Sequence, residues 1–226
     1  MDDRISDGRI ADLHIHSRYS HDSYLSPKAI VQRSRAAGLT CIAVTDHGSI
    51  RGGLKAKEFA GDRGPEIIVG TEIRTDCGDI IGLNMSVEIR SVAWKDVIRE
   101  IRENGGIVVF PHPYRDHSNI GEIAAQADLI ECWNGRSTRS QNREASALAR
   151  QHSRPGIVGS DAHVATEIGS VRAWIGRDSF ACHKIIAARY ATGLEIKKSR
   201  VISCIRQGHW GTLIAGGLSE AGRIIR

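Results

Sequence analysis

Thiol pairs, long apolar runs and nucleotide fingerprints are all missing from this chain. Its five cysteines (Cys41, Cys77, Cys132, Cys182 and Cys204) are scattered, and no C-x-x-C pair occurs. That argues against a disulfide framework and a thiolate zinc site, and for a reducing compartment. No stretch has the apolar length of a membrane span, and the opening MDDRISDGRIADLH lacks a signal-peptide core. We therefore expect a cytoplasmic protein with no membrane partner. Neither G-x-G-x-x-G nor G-x-x-x-x-G-K-[ST] occurs, so a nucleotide-binding sheet has no motif behind it. Aromatic residues make up 5% of the chain, and none interleave with a basic patch, which removes the stacking platform of a single-strand binder.

What remains is ordinary globular material: 226 residues, 41% hydrophobic and 25% charged, enough to build a core without disulfides. The net charge of +5 is uneven. Residues 191–226 hold Lys197, Lys198, Arg200, Arg206, Arg223 and Arg226 against only Glu195 and Glu220. We expect one domain over residues 5–190 and a basic C-terminal extension over 191–226 that packs on the barrel or trails from it.

Short apolar runs alternate with helical segments. Strands are expected at Ile10–Ile15, Thr40–Thr45, Glu66–Gly70, Asp79–Leu83, Ile107–Phe110, Asp128–Cys132, Gly156–Gly159 and Val171–Ile175. Helices are expected from Ser26-Pro27 to Gly38, over Leu54–Ala60, from a Ser91 cap through Glu103, over Thr138–His152 and over Ser179–Tyr190. Repeated βα units predict a parallel α/β barrel, closed or nearly so, with an open doubly wound sheet as the alternative.

Metal-capable residues sit at the ends of these strands. His14 and His16 close the first, Asp46 and His47 the second, and Glu72 the third. IVVF runs into His112, DLIEC holds Glu131, and GIVG runs into Asp161 and His163. Strand C-termini in α/β barrels converge on one mouth, so residues distant in sequence would share one pocket. The H-x-H pair has period two, which places both imidazoles on one face. Buried charges are costly unless paired or metal-bound, and a set of His with carboxylates suits Zn²⁺, Mn²⁺ or Fe²⁺. More donors than one ion can use imply a polynuclear centre of two or three divalent ions. Asp12, Asp46, Glu131 and Asn134 are candidates to brace the ligands or orient substrate. Arg18, Arg51, Arg115 and Arg136 follow strand ends and could meet a phosphate.

These residues carry a resemblance. D-L-H-I-H-S followed by Asp22, T-D-H at Thr45–His47, G-T-E at Gly70–Glu72, P-H-P at Pro111–Pro113 and S-D-A-H at Ser160–His163 resemble, in order and spacing, the PHP (polymerase and histidinol phosphatase) family. The resemblance spans residues 10 to about 175. It implies a distorted (β/α)7 TIM-like barrel with a two- or three-metal site and phosphoester hydrolysis. Carried across, His14, His16, Glu72 and Asp161 would hold a first ion. Glu72 would bridge to a second with His112. Asp22, His47 and His163 would hold a third. Some members have His near Asp22, where this chain has His21. Some carry a further His after the Glu72 strand, where Asn84 stands nearest here.

The expected function is a phosphoesterase that cleaves a phosphomonoester or phosphodiester with a metal-activated hydroxide. Glu72, His47 and His163 are its expected catalytic groups. The expected partner is a phosphorylated small molecule or a nucleic-acid end. Three rivals share the pattern: a nuclease on DNA or RNA ends, an amidohydrolase, and a non-catalytic metal-stabilised scaffold. The seven lysines all fall outside the expected strand ends, which disfavours an amidohydrolase bridged by a carboxylated lysine.

Overall fold

The computed structural model describes residues 8–209. In chain order the elements are β1 (Arg9–Ile15), α1 (Pro27–Ala36), β2 (Cys41–His47), α2 (Arg51–Ala60), β3 (Glu66–Thr75), β4 (Gly78–Leu83), α3 (Trp94–Glu103) and β5 (Ile107–Phe110). Then follow α4 (Ile120–Gln126), β6 (Leu129–Asn134), α5 (Arg139–Gln151), β7 (Gly156–Gly159), β8 (Val171–Ile175), β9 (Cys182–Ala188) and α6 (Gly193–Arg206). The strands form one sheet in the order β7-β6-β5-β4-β3-β2-β1-β8-β9.

That sheet curls into a nearly closed α/β barrel. A parallel bridge joins Ile15 to Ala162, just beyond β7. At this seam His16 N donates to Ala162 O at 2.8 Å and Ala162 N to His14 O at 3.3 Å. Lower on β1, Arg9–Ala11 pairs antiparallel with β8 instead. The floor of the barrel is a cluster drawn from β1 to β8, including Leu13, Ala43, Ile68, Ile81, Val109, Leu129, Ile157 and Ala173. Two more clusters fill the space between sheet and helices.

Local chemistry explains the helices. Ser26 Oγ accepts from Ala29 N at 3.1 Å, and Pro27 opens α1. α3 buries Trp94, Val97, Ile98 and Ile101 on one face, an amphipathic i, i+3, i+4, i+7 stripe. A capping box of Thr138 and Gln141 starts α5.

Four expectations need correction. β4 runs antiparallel to both β3 and β5. The β3–β4 connection is a tight hairpin, which leaves no room for a crossover helix, so this unit is not βα. Ser91 does not cap α3. The helix begins at Trp94, whose N–H is taken by Asp76 Oδ1 at 2.9 Å, an acceptor supplied by the β3–β4 turn. Residues 182–188 form a strand rather than a helix: the open edge of β8 offers a hydrogen-bonding ladder, and tertiary pairing overrides local propensity. Finally, α4 had no counterpart in the expected elements.

No helix among the described residues is long and apolar enough to cross a membrane. The described part of the 191–226 segment is α6, and it is tied to the barrel. Thr192 and Glu195 form its capping box. Arg189 reaches Glu195 at 2.9 Å and 3.0 Å, and Thr166 Oγ1 donates to Glu195 Oε1 at 2.6 Å. The Arg189 hydrogen bond, with those of Thr166 and Thr192, overcomes burial and holds the Glu195 carboxyl down to about 2. Its contribution is complete above the ordinary carboxylate range and fades as pH falls toward 2. Glu195→Ala removes cap, ion pair and buried acceptor together. It should cost about 1–3 kcal/mol at neutral pH, read as a lower denaturant midpoint.

Candidate metal centre

Period-two geometry puts a metal-capable side chain directly above the floor on strand after strand. Cys41, Ala43, Thr45 and His47 share a face on β2, as do Ile68, Gly70 and Glu72 on β3. Backbone irregularities adjust the others. β1 carries one extra residue against β2 between Asp12 and Ile15. This bulge lets Leu13 face the floor while His14 and His16 face the mouth. β6 carries a similar irregularity between Glu131 and Trp133, and Glu131 and Asn134 both enter the site. His112 and Asp161 adopt positive φ, 28° and 56°, conformations that cost energy for residues other than glycine. Gly159 must lack a side chain, because a Cβ there would collide with His14 Cβ and Glu131 Oε1.

The result is a crowd of acceptors. His14 Nε2 and His16 Nε2 lie 3.0 Å apart. Glu72 Oε2 is 3.3 and 3.2 Å from them, and Asp161 Oδ1 is 3.5 and 3.3 Å away. Each ring's other nitrogen is committed. His14 Nδ1 faces Glu131 Oε1 at 3.0 Å. His16 Nδ1 faces Ser20 Oγ at 3.0 Å, whose own proton goes to Asp46 Oδ1 at 2.9 Å. Neutral imidazoles so held give their single N–H outward and turn lone pairs toward each other and toward two carboxylates. Only positive charge relieves that arrangement.

The same holds nearer solvent. His163 has Asp161 O at 2.7 Å on one nitrogen and Asp22 Oδ2 at 2.9 Å on the other. Burial, with the charge on His16, pushes this ring down to about 4. A neutral ring can satisfy only one of those two acceptors. His47 completes the group, 3.4 Å from Asp22 Oδ2 and 3.4 Å from Glu72 Oε2. Asp22 Oδ1 and His112 Nδ1 are buried with no partner. The residues therefore fit divalent ions, and sets of donors close enough to share one are His14–His16–Glu72, His14–His112–Asp161, Glu72–Asp79–His112 and His16–Asp22–His47–His163.

All eight expected ligands (His14, His16, Asp22, His47, Glu72, His112, Asp161 and His163) thus come together. Asp79 joins them, although the sequence reading passed over it. Because β4 is antiparallel, its first residues stand at the mouth, and Asp79 shares a face with Ile81 and Leu83. Asn84 lies at the opposite end, lining a different cavity with Arg9 and Ile107. Counting back by two from Ile81 would have found Asp79 had the strand's direction been known.

The supporting residues divide. Glu131 braces His14 and also accepts His112 N at 2.9 Å. Asp46 binds Ser17 N and Oγ, both at 2.6 Å, and acts on His16 through Ser20. Asp12 touches no imidazole. It accepts Ser160 N at 2.8 Å and Gly169 N at 3.1 Å, and burial pushes its carboxyl up to about 6. Asn134 is fully buried, donates to Glu131 and Asp161, and is thereby withdrawn from substrate. Arg115 donates to Asp161 Oδ2 at 2.7 Å and Arg136 forks onto Glu167. Both line the cavity over the site; Arg18 and Arg51 do not, and Arg51 lies over the Tyr19 ring instead. His21 is half exposed at the cavity edge, 4.0 Å from Asp22 Oδ2.

A buried His/carboxylate cluster at the mouth of a distorted α/β barrel defines a class of metal-centred barrel proteins. The PHP domain model matches residues 12–194, and the chain belongs to that family. An uncharacterized protein of Methanocaldococcus jannaschii is 37% identical over 115 residues, 46% of this chain and 67% of that protein. A two-domain Bacteroides vulgatus structure containing a predicted PHP-like metal-dependent phosphoesterase superposes with TM-score 0.64 at 20% identity, over 79% of this chain and 61% of that one. An amidohydrolase structure from Chromobacterium violaceum, with bound sulfate and no metal, gives 0.60 at 17%, over 85% and 96%.

Protons and a metal ion would compete for this site. Burial alone would lower His14, but Asp161, Glu131 and Glu72 lift it well above the usual imidazole range. His16 is likewise lifted to about 9 by Asp161 and Glu72 against its burial. The carboxylates thus favour protons on these rings in the metal-free protein, and ligation would displace them. Mn²⁺ titration calorimetry in buffers of different ionisation enthalpy should show proton release at pH 7. Affinity should rise with pH, through the region near 9 where His16 loses its proton. Buffer-independent heats would contradict this.

Proposed function

We propose that the chain is a metal-dependent phosphoesterase that hydrolyses a phosphomonoester or phosphodiester. The observation that carries the reading is the facing of unshared acceptors, His14 and His16 Nε2 against Glu72 and Asp161, beneath an arginine-walled cavity. His14, His16, Glu72 and Asp161 would hold one ion, Glu72 with His112 and Asp79 a second, and Asp22, His47 and His163 a third. Imidazole with carboxylate suits Zn²⁺, Mn²⁺ or Fe²⁺. Bound there, such ions lower the pKa of water and neutralise phosphoryl oxygens.

The chain's own groups set the rest. Glu131 and Ser20 fix the tautomers of His14 and His16, so their Nε2 lone pairs face inward. Glu72 Oε2 stands between the deep His14–His16 pair and the outer His47, within 3.4 Å of all three. His47 and His163 occupy the solvent side of the cluster, where a leaving oxygen departs into the cavity. Arg74, Arg90, Arg115, Arg136 and Arg200 line its wall and favour an anion. Arg74, Arg115 and Arg136 are tied to carboxylates, so Arg90 and Arg200 are the freer guanidiniums for substrate.

The cavity, about 840 Å³, exceeds what one phosphate needs. That favours a phosphorylated small molecule or a nucleic-acid end as the partner, and it keeps a nuclease as the second reading. The neighbour named as an amidohydrolase leaves that chemistry to be weighed. Against it, all seven lysines are exposed, so none reaches the site to bridge ions.

Metal-reconstituted protein should release inorganic phosphate from phosphomonoesters, an alcohol and a phosphomonoester from phosphodiesters, or nucleotides from short oligonucleotides, and the panel assigns the class. His14→Ala/His16→Ala should lose activity and tightly bound metal together. Full activity in that double variant, or a loaded wild type inert on the whole panel, would refute the phosphoesterase reading. Asp79→Ala should weaken metal binding by about tenfold or more, while Asn84→Ala leaves it unchanged.

A further inference from the structure

The outer ligand Asp22 lies on the loop that leaves β1, and that loop is gripped from outside the barrel. Arg206, in the last turn of α6, sends one guanidinium nitrogen, Nη1, to three backbone carbonyls: Arg18 O at 2.7 Å, Ser20 O at 2.8 Å and Ser23 O at 2.9 Å. The guanidinium also lies 5.7 Å over the Tyr24 ring. Three carbonyl dipoles aimed at one point repel unless a cation sits among them. A guanidinium is always charged, so it fills that role at any physiological pH.

Two of these carbonyls bracket Asp22. The inner side of the loop has its own anchors: Ser17 binds Asp46, and Ser23 Oγ donates to His16 O and His163 O, both at 3.0 Å. Asp22 itself is held only through its side chain, by His163 and His47. Those contacts hold the carboxylate and leave its peptide to the anchors on either side. The side chains of Ser20 and Ser23 hold the peptide between them from the inside, and Arg206 holds its carbonyls from the outside.

α6 is well placed to transmit this. Its first turn is bound by Arg189 and Thr166, and Ser199 Oγ takes Arg136 Nη1 at 2.8 Å. Ile196, Ser199, Arg200 and Ser203 line the cavity over the site. One helix thus forms the substrate wall and grips the ligand loop.

We infer that α6 belongs to the metal-binding apparatus: Arg206 is a positioning residue that clamps the Arg18–Ser23 loop, places Asp22 against His47 and His163, and so sets the affinity of the outermost ion. This rests on the metal-site reading above. The test is Mn²⁺ titration of metal-free full-length protein, with free Mn²⁺ followed by electron paramagnetic resonance. Arg206→Ala should weaken the weakest-bound Mn²⁺ by about tenfold or more and leave tighter ions unchanged. Arg206→Lys should retain most of the affinity, because an ammonium also places a hydrogen-bonding cation among the carbonyls. Guanidinium ion, far below unfolding concentrations, should restore Arg206→Ala. In an Asp22→Asn background, Arg206→Ala should add nothing, since the clamp acts through Asp22.

Unchanged affinity in Arg206→Ala, equal weakening of every ion, or additive losses with Asp22→Asn would each overturn the inference. A wild type that binds no Mn²⁺ would instead overturn the site reading.

Discussion

Lone pairs turned on one another govern this structure. His14, His16, Glu72 and Asp161 bring their acceptor atoms within 3.5 Å in a place with almost no solvent. Water cannot relieve the repulsion, and the outward nitrogens of both rings are already taken. In the metal-free chain protons relieve it, which is why both histidines are lifted despite burial. Ions would relieve it better. The seam between Ile15 and Ala162 closes the barrel between His14–His16 and Asp161–His163, so closure and site assembly are one event.

Around that core of repulsion the protein spends its hydrogen bonds on orientation. Glu131, Asn134, Ser20, Asp46 and Asp12 all act on ligands or on the backbone that carries them. Arg115 and Arg136 offset carboxylate charge at the rim. A buried carboxylate left without partners would be costly, so each support is also a condition of folding.

Much of this was legible in the sequence because the candidate ligands sit at strand ends and strands announce themselves by apolar runs. HIH, TDH, GTE, PHP and SDAH each follow such a run, and the structure gathers all of them. Asp79 was hidden because direction along a strand is invisible to periodicity: the same DIIGL reads alike either way, and only the hairpin decides which end meets the site. Residues 182–188 misled for a related reason, since the ladder that makes them a strand belongs to β8. Asn134 looked available to substrate because sequence does not reveal that its amide is consumed by Glu131 and Asp161. Arg206 carried no local signal at all; its three acceptors lie more than 180 residues away.

The bulges in β1 and β6 have a further meaning. Each divides a strand into two reading frames, one for the floor and one for the mouth. Below the extra residue, alternation serves the apolar packing of Leu13 and Leu129. Above it, a shifted alternation serves His14, His16 and Asn134. The two frames are joined by a single residue of slack, so the floor can be repacked without turning the ligands. Loss of that one residue would rotate the upper frame and leave the lower one intact. The barrel's chemistry and its packing are thus independently variable along the same strand, and this lets one scaffold hold its fold while its mouth is rewritten.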